Sequence, residues 1–411
     1  MSFVTAAEAL IFAGTYFVLA IGKLPGFRLD RAGAALLGAS LTVACGVLSP
    51  EEAFRAIDGG TLALLLGMMI VVANLRLSGF FRLATNWTAR RVRRPLALLA
   101  AVVFSSGIFS AFLVNDTVCL ALAPLVLDVA TRLRRNPVPY LLAVAMASNC
   151  GSAATITGNP QNIMIGSLSG ISYGRFAAAL SPPAIAGLLL TIALIVLFYP
   201  REFRTRERLE ATAEPGPYHA PLMIKSLAVT LALVILFFAG ASPAKAAILA
   251  GALLLLTRIV KSTKIYAAID WPLLLMFAGL FVVVAGFEKA LLSPAIVADV
   301  GRLQLARIPV LSAATAVLSN VVSNVPAVLL LRPFVLALHD RQTAWLTIAM
   351  ASTLAGNLTV LGSVANLIVV QKAAAKGVAI TFRDYFKVGA PLTLLTLILG
   401  TLWLAARASM R

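Results

Sequence analysis

Residues 109–125, FSAFLVNDTVCLALAPL, hold one short polar island, Asn115-Asp116-Thr117, inside apolar sequence. A carboxylate in such a setting is costly inside a bilayer, and residues of that kind mark ion and substrate paths. Asp116 could take up a proton or hold Na+, with the Asn115 amide and the Thr117 hydroxyl beside it. A second polar stretch, SNCGSAATITGNPQN (148–162), carries no charge. Its Asn149, Ser152, Thr155, Asn159 and Asn162 offer amides and hydroxyls, while Gly151, Gly158 and Pro160 interrupt helix. Residues 139–168 contain no Lys, Arg, Asp or Glu. A helix of that length would reach ~45 Å, against a hydrocarbon core of ~30 Å, so there is slack for a break in mid-membrane. A break leaves one half-helix N-terminus and one C-terminus facing a cavity, suited to an anion and a cation respectively.

Both stretches return later in the chain. A shift of 209 places Ser110, Asn115 and Pro124 on Ser319, Asn324 and Pro333, so Ser323 and Asn324 form a second tip. A shift of 204 places 142–163 on 346–367 with eight identities: Leu142, Ala145, Met146, Ala147, Ser148, Thr155, Gly158 and Asn162. The second break then carries Thr359, Gly362, Ser363 and Asn366. A shift of 212 places Ile57-Asp58 on Ile269-Asp270 and Gly67 on Gly279. Close, ordered shifts that keep the polar residues aligned denote an internal repeat. Asp116 has no acidic counterpart, since Val325 stands in its place, so any coupling chemistry is asymmetric.

The elements that position these residues must be membrane helices. Of 411 residues 60% are hydrophobic and only 12% charged, about half the charge of a soluble domain. The fold class expected is an all-α polytopic membrane protein of two inverted-topology repeats. It has about ten transmembrane helices, two re-entrant hairpins and two helices unwound at mid-membrane. Residues 1–29 hold a first transmembrane helix, read in preference to a signal peptide because a basic start and a cleavage site are lacking. Repeat 1 spans 30–199, with a hairpin at 95–133 and a broken helix at 139–168. A cytoplasmic linker at 200–221 and a linking helix at 222–241 follow. Repeat 2 spans 242–407, with a hairpin at 308–340 and a broken helix at 343–371. The segment 79–94, mixing bulky and basic residues, reads as an amphipathic surface helix or a basic loop.

The formal charge of +18 does not point to nucleic acid, because the arginines cluster in short loops between apolar spans. With both termini outside and both hairpins re-entrant, 24 of the 34 Lys and Arg fall in cytoplasmic segments. Cys45, Cys119 and Cys150 have no metal-ligand spacing, and His219 and His339 are isolated. No GxxxxGK[ST] loop occurs, which disfavours an ATP-driven pump.

NDTVCLALAPLV with SNCGSAATITGNPQNIMIG, followed by SNVVSNVPAVL and a second glycine-bearing break, resembles the ion transporter superfamily. The similarity runs over about 30–405 and is nearest to the ArsB/NhaD-like branch, within it the anion permeases of the YbiR type. The divalent anion/sodium symporters are related. The resemblance implies a site between hairpin tips and unwound segments, and a transport unit that moves against a scaffold. The tips would be Asn115, Asp116 and Thr117, and Ser323 and Asn324. The breaks would be Gly158-Asn159-Pro160 and Gly362-Ser363.

The expected function is secondary active transport of a small anion across a bacterial cytoplasmic membrane, coupled to H+ or Na+. The alternatives are a Na+/H+ antiporter and an arsenite or oxyacid efflux permease. No enzyme chemistry and no cofactor beyond the coupling ion are expected. Na+ would sit at Asn115, Asp116, Asn159 and Asn324. Partners would be the solute, the lipid bilayer and, in a homodimer, a second copy.

Overall fold

The structure, a computed structural model, describes residues 3–22, 26–204, 218–292 and 304–410. Most of the linker expected at 200–221 lies outside the described residues. The first half runs α1 (Phe3–Ile21), α2 (Arg31–Ala44), α3 (Pro50–Ala56), α4 (Gly59–Leu77), α5 (Phe80–Arg91), α6 (Pro95–Phe112), α7 (Asn115–Arg132), α8 (Pro137–Ser152), α9 (Pro160–Ser169), α10 (Tyr173–Phe198) and α11 (Pro200–Phe203). The second runs α12 (Ala220–Phe238), α13 (Pro243–Leu255), α14 (Ser262–Tyr266), α15 (Trp271–Ala290), α16 (Ile308–Val322), α17 (Asn324–Leu336), α18 (Arg341–Ala355), α19 (Val364–Ala374) and α20 (Phe382–Ser409). No strand occurs among the described residues.

Seven helices are long and apolar enough to cross a bilayer unaided: α1, α4, α6, α10, α12, α15 and α20. Of these α6 turns back at Leu113-Val114 into α7, so it is one arm of a hairpin. The shorter α2 and α13 and the composite pairs α8/α9 and α18/α19 bring the crossing units to the expected ten. The hairpins are α6/α7 and α16/α17. Helix α5 occupies the segment for which an amphipathic helix or a loop was expected, with the Arg91 guanidinium 4.1 Å above the Trp87 ring.

Local chemistry fixes where the helices start. Asp30 accepts from the Gly33 N–H at 2.8 Å, Asp58 from Thr61 at 2.6 Å and Asp270 from Leu273 at 3.1 Å, capping α2, α4 and α15. Prolines open α6, α8, α9 and α13, where a missing N–H costs nothing.

The scaffold is crossed between halves. Helix α4 packs on α13, and α15 packs on α2. The two repeat-related glycines lie at these crossings. A Cβ on Gly67 would meet the Ala247 carbonyl at 2.4 Å, and one on Gly279 the Ala35 carbonyl at 2.6 Å. Only glycine lets these backbones touch, which is how membrane helices associate without a hydrophobic driving force. Helix α1 lies on α2 and α15, and α12 lies on α13 and α4, so the correspondence reaches the first helix of each half. The hairpin arms α6 and α16 pack on α8 and α18 of their own halves. Their return arms cross over: α7 runs beside α19, and α17 beside α9.

Candidate functional site

The two breaks are built alike. Helix α8 ends at Ser152 and α9 starts at Pro160; α18 ends at Ala355 and α19 starts at Val364 after a 3₁₀ turn, Val360–Gly362. Ending a helix in mid-membrane orphans its last carbonyls, which must find donors inside the protein. Asn162 supplies them in the first half, its Nδ2 donating to the Ser152 and Thr155 carbonyls at 3.1 and 3.0 Å. Asn366 donates to the Gly356 and Thr359 carbonyls at 2.7 and 3.1 Å. Every atom in the second set is the first set displaced by 204 residues. Gly158 is demanded by space, since a Cβ there would lie 2.1 Å from the Ser152 carbonyl oxygen. Gly151, expected to help break the helix, lies inside α8, where it lets Gly107 of α6 approach.

Asn149 joins the halves. It is 2% exposed, and all its hydrogen-bonding capacity is used. Its Oδ1 accepts from Asn115 Nδ2 and from Ser363 Oγ, both at 3.1 Å. Its Nδ2 donates to Asn357 Oδ1 at 2.9 Å and Asn366 Oδ1 at 3.0 Å. Asn159 is also fully engaged. Its Oδ1 caps Asn162 N at 2.9 Å, and its Nδ2 donates to Ser152 Oγ at 3.0 Å and Thr353 Oγ1 at 3.1 Å. Thr155 Oγ1 donates to the Ala111 carbonyl next to the first tip, and the Asn115 N–H donates to Gly158 at 2.9 Å.

In front of this network lies a cavity of about 270 Å³. Asn115 and Asp116 of the first tip line it, with Ser323, Asn324 and Val325 of the second. So do Pro160 and Gln161 at the start of α9, and Ser363 and Val364 at the start of α19. Both tips and both half-helix N-termini therefore meet at one place. The Asp116 carboxylate stands near the Asp270 carboxylate and near the Ala365 N–H in the first turn of α19, so the first tip of one half meets the broken helix of the other. Asn115 is 3% exposed, and its Oδ1 has no partner among the described residues. Ser323 has φ 77° and ψ 161°, a region that side chains avoid.

Of the residues expected at the site, Asn115, Asp116, Ser323, Asn324 and Ser363 line the cavity. Thr117 lies one residue deeper in α7. Asn149, Ser152, Thr155, Gly158, Asn159, Asn162, Thr359, Gly362 and Asn366 form the wall behind it. With Asn159 engaged elsewhere, Asn115 Oδ1 and Asp116 are the oxygens best placed for a cation. No cluster of three or more His, Cys, Asp or Glu occurs among the described residues.

The cavity's other wall was not foreseen. It comes from the scaffold: Leu19 in the last turn of α1 and Gly22 after it, Asp30 and Arg31 at the start of α2, and Asp270, Pro272, Leu273 and Met276 at the start of α15. Tyr16 of α1 ties this wall to the second tip, its OH donating to the Pro326 carbonyl at 3.1 Å. Loop residues that follow an apolar span look alike in sequence whether they face bulk water or a vestibule. The repeated Asp58/Asp270 pair was the one available signal.

A second cavity lies at the other end of α9, lined by Arg55, Asp58, Gly59, Gly60, Ser167 and Arg332. Ser167 Oγ donates to Asp58 at 2.9 Å, joining the end of α9 to the start of α4. Arg332 faces Glu288 at 4.0 Å. Helix α9 starts at the first cavity and ends at the second. Helix α15 therefore starts at one end of the molecule and its counterpart α4 at the other, which is inverted topology.

Residues 16–355 match the model of the CitMHS family, described as citrate transporters. The chain belongs to this family. It is 29% identical to the silicon efflux transporter LSI3 of Oryza sativa, over 94% of this chain and 95% of that protein. It is 30% identical to the inner membrane protein YbiR of Escherichia coli, over 82% and 86%. The solved structure of the Alcanivorax borkumensis YdaH transporter superposes with a TM-score of 0.62, covering 100% of this chain and 99% of that one at 16% identity, a likeness of fold alone. The family member described here is a multi-pass membrane transporter and not an enzyme.

Proposed function

We propose that the protein is a secondary active transporter of a small anion, coupled to H+ or Na+ at the first tip. One observation carries the reading: two re-entrant tips and two half-helix N-termini converge on one cavity. The N-terminus of α9 turns positive partial charge toward an anion, with Pro160 carrying no N–H and the Asn162 N–H already held by Asn159 Oδ1. Asn115 Oδ1 and Asp116 offer oxygens to a cation, and Val325 leaves the second tip without a carboxylate. Alternating access would move the hairpins and broken helices against α1, α2 and α15. We place the protein in a bacterial cytoplasmic membrane with both termini outside, so the first cavity opens to the cytoplasm and the second to the exterior.

The test is charge movement in proteoliposomes during Na+ or pH steps, with and without sulfate, succinate, citrate or arsenite. A signal that requires one solute, and is lost in Asp116→Asn, supports the reading. A signal with Na+ and pH alone would make the protein a Na+/H+ antiporter. Export of an uncharged oxyacid is a second reading, favoured by the nearly full-length similarity to a silicon efflux transporter.

A further inference from the structure

We propose that Arg31 is the anion-recognition residue of the first cavity, and that the cargo enters it as a singly charged oxyanion. The proposal rests on the transport reading above and names the class of its substrate.

Arg31 lines the cavity from the scaffold side, at the first residue of α2. Its guanidinium folds back over Gly22, with Nε and Nη2 each 3.8 Å from where a Gly22 Cβ would stand. Nε is buried with no hydrogen-bond partner among the described residues. The neighbouring acid does not neutralise it, because Asp30 turns its carboxylate to the Gly33 N–H. Asp270, on the same wall, is turned to the Leu273 N–H. A cation at a helix N-terminus opposes the helix dipole, and a buried guanidinium nitrogen without an acceptor costs more. A misfit of this kind, where every neighbouring acid obeys the local rule, marks a position kept for a ligand.

The charge of the cavity sets the charge of the cargo. Its titratable groups are Asp30, Asp116, Asp270 and Arg31. Asp30 and Asp270 accept from N–H groups at the starts of α2 and α15, and Asp116 stands near the start of α19 within range of the Asp270 charge. Arg31 is the one full positive charge among the described lining residues. A planar oxyanion of single charge matches its fork of N–H donors. One negative charge balances the one guanidinium, and each further charge on the cargo adds repulsion from the three carboxylates with no second cation among the described lining residues to meet it. An anion that reaches from Arg31 to the tips also touches both walls of the cavity, scaffold and hairpin.

The experiment uses the full chain in proteoliposomes under an imposed pH or Na+ gradient. Acetate, bicarbonate and nitrate are compared with sulfate and citrate, for wild type, Arg31→Gln and Arg31→Lys. Thermal unfolding in detergent checks each variant. The expected result is flux of a monoanion in the wild type, with KM raised about ten-fold or more in Arg31→Gln, a smaller fall in kcat, and partial rescue in Arg31→Lys. An unchanged KM in a folded Arg31→Gln overturns the role of Arg31 and leaves the transport reading standing. Wild-type preference for sulfate or citrate overturns the charge class, whatever the variants do. A wild type that moves none of these anions overturns both.

Discussion

Asn149 holds four side chains from two halves of the chain at one point, so its removal is costly beyond its size. Asn149→Ala orphans the Asn115 amide, the Ser363 hydroxyl and the two acceptors at Asn357 and Asn366. The expected loss is about 2–4 kcal/mol, readable as a lower unfolding midpoint in detergent, with transport abolished. Gly158→Ala forces a methyl group into the Ser152 carbonyl and should cost about 1–3 kcal/mol, with no compensating variant at the same position. Ser323 behaves in the opposite way. Its backbone is one that glycine adopts freely, so Ser323→Gly should raise the unfolding midpoint by the equivalent of about 1 kcal/mol while Ser323→Val lowers it. The polar residues of 109–125 and 148–162 were legible because each stands out against apolar neighbours. Their division into lining and wall was not, since an asparagine that braces a break and one that meets a solute have the same composition and spacing. Arg31 was hidden for another reason. It follows an apolar span in a basic loop, where an arginine ordinarily reports membrane orientation.

The breaks are the elements most fully written in the sequence. Glycine, proline and a returning asparagine define them twice, and the structure uses Asn162 and Asn366 for the same two bonds. Asn162→Ala should therefore abolish transport while the helices persist, seen as retained far-ultraviolet dichroism with no solute flux. Asp58 and Asp270 were legible only as a repeated pair, and the structure makes them the caps of α4 and α15. Helix α3 is held to α15 by Glu52, whose carboxylate lies 2.8 Å from Lys289 Nζ. The Lys289 ammonium first, and the Ser49 N–H second, keep Glu52 below the ordinary glutamate range. The sign follows directly. The attachment is complete above the ordinary value of 4.5 and fades as pH falls through the lowered one, so Glu52→Gln should flatten the acid limb of a stability profile. Helix partners were not legible. Which apolar face meets which depends on contacts 180 residues apart at Gly67–Ala247 and 244 apart at Gly279–Ala35, and small residues such as Gly67 report a close approach without saying to what.

At the scale of the molecule, neither half owns a finished scaffold. Helix α4 rests on α13 and α15 on α2, through glycines that leave no room for an alternative side chain. The halves produced as separate chains and mixed after purification should give no cavity and no transport. The same halves made together in one cell should restore both, with Gly279→Leu blocking the rescue. The crossing also sets a schedule for biosynthesis. About 240 residues separate the start of α2 from the start of α15, the helix it is shaped to meet. At a ribosomal rate of 5–20 residues per second, α2 waits in the lipid for on the order of 10–50 s with its glycine-and-alanine groove open. During that interval the nascent chain offers quality-control proteases a target that the finished protein conceals.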